Sequence, residues 1–179
     1  MNMLEAILNA QNGGLVRQMA NDFNLEEGQA RAAMGELVPA LARGVRSNAS
    51  EPQGLQDLIG ALTRGQHARY LEQPETLQDP STVADGNGIL GHIFGSKEVS
   101  RQVAGHAAER SGVDAGVLKK MLPVLAAVAM GAMSKNTGGT GQTAQSGGGL
   151  GDMLGSFLDA DRDGSIVDDL VGMAGKLFR

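Results

Sequence analysis

The 179-residue chain contains no cysteine and no tryptophan, one tyrosine and four phenylalanines. Without cysteine it can build neither a disulfide framework, nor a thiolate zinc site, nor a cysteine nucleophile; the absence leaves the compartment open and is compatible with the cytoplasm, the expected location. Aromatic residues make up only 3%, so a core must come from Leu, Val, Ala, Ile and the nine Met. The same scarcity leaves few platforms on which single-stranded bases could stack. Net positive charge is missing too. A formal charge of −5 and a pI near 5.1 oppose generic binding to phosphates. The longest apolar run, Met121 to Met133, falls short of the ~20 residues of a spanning helix. The opening "MNMLEAILNAQNGG" has no basic n-region of a signal peptide, so a soluble chain without a membrane span is expected. Runs of alternating apolar and polar residues, the mark of half-buried strands, are absent as well.

What is present is helical spacing, and it supports an all-α fold. Leu4, Ile7 and Leu8 mark a first helix that "NGG" at Asn12 to Gly14 stops; Leu15, Met19 and Phe23 mark a second. An Ala-rich helix follows, with Asn24 or Glu26 as its cap and Ala30, Ala33, Met34, Leu37 and Leu41 turned inward. Leu55, Leu58, Ile59 and Leu62 form the stripe of a further helix. Gln73 to Gly88 carries two Pro and several turn formers and reads as a connector with one short helical turn. Beyond it come a short helix "GILGHIF", a break at Gly95, a helix capped by Ser96, and the most apolar segment, expected to be the central helix. Residues 136–151 are rich in Gly, Ser, Thr and Gln and read as a flexible linker. Residues 152–179 are then a helix, an acidic loop and a second helix, a C-terminal hairpin separate from the helical core at 1–135.

Within that core, "MANDFNLEEGQA" from Met19 aligns with "AAERSGVDAGVL" from Ala107, and "LVPALA" from Leu37 with "MLPVLA" from Met121. The two offsets differ by about one helical turn, which keeps the inward faces in register. Two related helix-turn-helix units, at about 15–48 and 97–134, are therefore expected. Pro39 and Pro123 each remove a donor and should bend their helices, freeing the carbonyls of Gly35 and Lys119. The second unit has the Ala108 and Gly112 spacing of a DNA reader. Its candidate reading helix, however, begins at Asp114 and offers only Lys119 and Lys120, so nucleic acid is a disfavoured partner.

The stretches "NDFNLEEGQARAAMGELVPALARGV", "DGNGILGHIFGSKEVSRQVA", "KKMLPVLAAVAMGAMSK" and "DADRDGSIVDDLVGMAGKLF" together resemble the bacterial domain of unknown function 937 family, related to YidB-like proteins. The resemblance covers nearly the whole chain. It implies a multihelical, homeodomain-like fold with no established activity and no catalytic residues to carry over.

Chemistry-bearing motifs are few. His67, His92 and His106 lie in three segments without metal-binding spacing, and neither a nucleophile elbow nor a Walker loop is present. His92 is expected to be a packed, hydrogen-bonded residue, and His67 and Tyr70 to share a packed helix end with Arg69 pointing elsewhere. A pocket gathering His92 with carboxylates would instead point to an enzyme. Met121, Met130 and Met133 are expected to fill core, while any excess apolar surface on their helix would favour self-association.

"LDADRDGSIVDDL" has ligand-type spacing. Counted as a calcium loop, Asp159, Asp161 and Asp163 fall first, third and fifth, Gly164 sixth, and the Ser165 carbonyl seventh. The twelfth position is Leu170, so Asp168 or Asp169 would have to close a shortened loop over Ca²⁺. Helix capping accounts for part of the same residues: Ser165 with Asp168 forms a capping box, and Asp168 and Asp169 suit the positive end of a helix dipole. Non-enzymatic binding or self-assembly is thus the expected role, with a protein partner or a second copy and no evident small-molecule substrate. A weak Ca²⁺-responsive module is the alternative, and a DNA-binding regulator a more distant one.

Overall fold

The computed structural model describes residues 3–64, 67 and 69–138. Among them every regular element is helical: α1 (Met3–Leu8), a 3-10 turn (Ala10–Gly13), α2 (Gly14–Asp22), α3 (Glu27–Ala49), α4 (Pro52–Arg64), α5 (Arg69–Glu72), a second 3-10 turn (Pro74–Gln78), α6 (Pro80–Phe94), α7 (Lys97–Ser111) and α8 (Ala115–Gly138). The expected all-α class holds.

Helix α8 is the axis of the fold, with α1, α3, α4, α5, α6 and α7 packed around it, α6 most extensively. From Met121 to Met133 it is buried continuously, and Met121, Met130 and Met133 are at most 2% exposed. By length and composition this helix could cross a membrane, but 78% of its most apolar window is covered by its neighbours. Core filling by Met is therefore correct. Among the described side chains, Val99 on α7 is the one large hydrophobic that is exposed.

Helix α3 is the second layer, burying Ala30, Ala33, Met34, Leu37, Val38, Leu41, Ala42 and Val45 at steps of three and four. All five inward residues expected from its periodicity are among them. Its N-cap is Glu26, whose N–H is accepted by Gln29 Oε1 at 3.0 Å. Both long helices run on past their internal prolines, Pro39 and Pro123. Ser96 caps α7 as expected, its Oγ accepting from Val99 N–H at 3.2 Å.

The connector expected at Gln73 to Gly88 is mostly helix. Pro80 stands at the start of α6 and Pro74 at the start of the second 3-10 turn. At a first helical position a proline costs no hydrogen bond and its φ is already helical, so these residues start helices instead of breaking them. Along α6, Thr82, Gly86 and Leu90 form the buried stripe, and Thr82 Oγ1 donates to the Thr76 carbonyl at 2.7 Å.

The turns entering α3 and α8 are built alike. Asn24 (φ 52°) and Gly112 (φ 71°) each adopt the left-handed conformation, and an acidic residue two positions later, Glu26 or Asp114, immediately precedes the next helix. Asp114 Oδ1 accepts from the N–H groups of Gly116 at 2.8 Å and Val117 at 3.2 Å. Arg110 and Glu36 tie α7 to α3 at 2.8 Å.

Candidate functional site

A half-open apolar cavity of about 490 Å³ lies where α3, α4, α6 and α8 converge. Val45, Leu58, Ala61, Ile89, Ile93 and Met130 supply its apolar wall, and Asn48, Asp57, His67 and His92 its polar groups. The cavity exists because α6 has two adjacent apolar stripes. The stripe of Thr82, Gly86 and Leu90 is buried, whereas Ile89 and Ile93, one turn apart beside it, are only partly covered. Asn48 Nδ2 donates to the His92 carbonyl at 2.8 Å, which clamps the end of α3 to the end of α6 at one edge of the cavity.

His67 is half-buried. Its ring is hydrogen-bonded to the Ala61 backbone carbonyl, and burial holds its pKa below 6.5 even though Asp85 pulls the other way. A neutral imidazole has one donor and one acceptor nitrogen, and Nδ1 is buried without a partner among the described residues. His92 departs from the expected packed residue: it is exposed at the last turn of α6, and its backbone carbonyl accepts the hydrogen bond from Asn48. Asp57 is exposed and accepts from Gln53 Nε2 at 3.3 Å.

Next to the cavity, Tyr70 is packed to 1% exposure, as expected of a packed helix end. Its hydroxyl donates to Asp85 of α6 and accepts from Arg69 Nη2 at 3.0 Å. The Arg69 guanidinium carbon lies 4.9 Å from the Tyr70 ring centre, so Arg69 folds back over the ring instead of pointing elsewhere. The His67 and Tyr70 rings are 6.0 Å apart. Burial is the largest cause of a raised Tyr70 pKa, followed by the bond to Asp85.

Two more clefts lie toward the start of α8 and share Asn87 and Lys119. One, of about 490 Å³, includes Lys97 and Arg101; the other, of about 580 Å³, includes Asp22 and Lys120. Among the described residues no group of three or more His, Asp or Glu could hold a metal ion. The candidate calcium ligands Asp159, Asp161, Asp163, Ser165, Asp168 and Asp169, and the C-terminal segment that carries them, lie outside the described residues.

A family profile described as "Bacterial protein of unknown function (DUF937)" matches residues 5–136. The chain belongs to this family. Comparison with curated proteins and with solved structures returned no match. The DUF937 region contains the whole apolar cavity and the Arg69, Tyr70 and Asp85 cluster. None of the cavity's apolar wall was singled out as a site from sequence, since its members come from four helices far apart in the chain. The available signal was the second stripe on α6, Ile89 and Ile93, which lies in the short helix expected at "GILGHIF" but whose partners on α3, α4 and α8 the spacing does not name.

Proposed function

We propose that this DUF937 protein is a non-enzymatic binding module whose ligand site is the cavity between α3, α4, α6 and α8. The carrying observation is the cavity wall itself: six apolar side chains with a few polar groups, on a scale that suits recognition. Its occupant is a protein segment that inserts apolar side chains against this wall. Among the described residues, those lining the cavity include no hydroxyl, thiol or amine nucleophile, and Asp57 and the His92 carbonyl are hydrogen-bonded to Gln53 and Asn48. These features favour binding over catalysis, although the gathering of His92 with a carboxylate is the arrangement an enzyme would share. The similar turns at Asn24 and Gly112 support reading α2–α3 and α7–α8 as two homeodomain-like units used structurally. Burial of α8 from Met121 onward leaves little of it to enter a DNA groove.

The test is titration of the full chain with the neutral apolar fluorophore N-phenyl-1-naphthylamine. Ala61→Phe, which places a ring in the cavity, should abolish saturable binding while the circular dichroism spectrum stays helical. Unchanged binding in that variant would refute the cavity as the site.

A second reading rests on the alternation of Asp159, Asp161 and Asp163. Helix capping does not account for these three side chains, and a shortened loop closed by Asp168 or Asp169 would hold Ca²⁺ weakly.

A further inference from the structure

We propose that the cavity is filled by the chain's own C-terminal segment, through Met153, Leu154, Phe157 and Leu158. This deepens the binding reading above and rests on it.

Where the described chain ends is the first ground. Met130 lines the cavity, and α8 continues from it to Gly138, a rise of about 12 Å. Residues 139–151 follow, a stretch dominated by Gly, Ser, Thr and Gln. Thirteen residues of such composition can span roughly 20 Å, enough to return over that distance. The second ground is chemistry. In "DMLGSFLDA", Asp152 to Ala160, the four apolar residues recur at the spacing of one helical face. Their side chains match a wall built from Val45, Leu58, Ala61, Ile89, Ile93 and Met130. Tethering strengthens the match, because a segment joined through so short a stretch is held at an effective concentration in the millimolar range. A weak apolar contact is then occupied in most molecules. An outside partner would compete with this internal occupant.

The rival surface is the pair of clefts holding Lys97, Arg101, Lys119 and Lys120. It would attract the aspartates of the same segment. Those clefts meet the start of α8, whereas the cavity meets α8 two turns before its exit at Gly138. The apolar site is therefore the nearer one along the helix.

Because the chain has no cysteine, one nitroxide can be placed on it without other changes. Ser156→Cys, spin-labelled in the ¹⁵N-labelled full chain, should broaden the amides of Asn48, Ala61 and Ile93 and leave those of Lys119 and Lys120 sharp. The same label combined with Phe157→Ser and Leu158→Ser should restore the cavity amides, and that variant should bind the naphthylamine probe severalfold more tightly. No broadening, or broadening centred on Lys119, overturns the proposal. So does broadening at the cavity that arises only when spin-labelled ¹⁴N chain is mixed with unlabelled ¹⁵N chain, which would assign the occupant to a second copy. If the amides stay sharp while Ala61→Phe still blocks the probe, internal docking fails and the binding reading survives.

Discussion

Gly86 of α6 faces the backbone carbonyl of Pro123 in α8 so closely that a Cβ on Gly86 would lie 1.9 Å from that oxygen. This approach of α6 to α8 therefore depends on a hydrogen atom where any other residue has a carbon. Gly86→Ala should force α6 off α8 and destabilise the protein by about 1–3 kcal/mol, the usual cost of overpacking. Two positions along, Gly88 has open space around its Cβ position. Gly88→Ala should stabilise by roughly 0.5–1 kcal/mol through helix propensity alone. Urea unfolding of the two variants, followed by circular dichroism, checks the opposite signs.

The turn entering α8 has a similar dependence on conformation. Gly112 is left-handed at φ 71°, with no neighbour within 4 Å of its Cβ position, so strain and not collision is what a side chain would meet. Gly112→Ala should cost roughly 1–2 kcal/mol. At the equivalent turn the left-handed residue is the exposed Asn24, and Asn24→Gly should stay within about 0.5 kcal/mol of wild type. Thermal unfolding distinguishes the pair.

His67 makes stability depend on pH. Its pKa in the folded chain lies below 6.5, chiefly because burial penalises the cation, so the unfolded chain binds the proton more readily. The stabilisation is complete above pH 6.5 and is lost as pH falls through the folded-state value. The melting temperature should decline below pH 6.5 and decline less in His67→Gln. Tyr70 acts at the other end, since its raised pKa keeps its contribution intact below pH 10.0 and loses it as pH rises through the folded-state value.

Calcium binding is tested by calorimetric titration of the full chain against an Asp161→Asn, Asp163→Asn double variant. The second reading predicts saturable heat in the wild type and none in the variant. Equal or absent heat in both would refute calcium binding by that loop.

Much of the helical core was legible before any coordinates. The period of Ala30, Ala33, Met34, Leu37 and Leu41 marked the inner face of α3, Ser96 marked a helix start, and the continuous apolar character of residues 121–133 marked a central helix. The start of α6 was not legible, because Pro80 and the glycines at 86 and 88 resemble loop composition. Their roles as helix initiator and close-contact residue depend on what lies opposite. Arg69 was misplaced for a related reason, as its partner Asp85 sits on that unrecognised helix. The cavity was the least legible feature, since Val45, Ala61, Ile89 and Met130 share a surface only after four helices have packed.

Binding in that cavity is the central claim, and the response of the naphthylamine probe to Ala61→Phe tests it most directly. The account predicts saturable fluorescence enhancement with the wild-type chain and its loss in the helical, folded variant. Equal enhancement in both would contradict it.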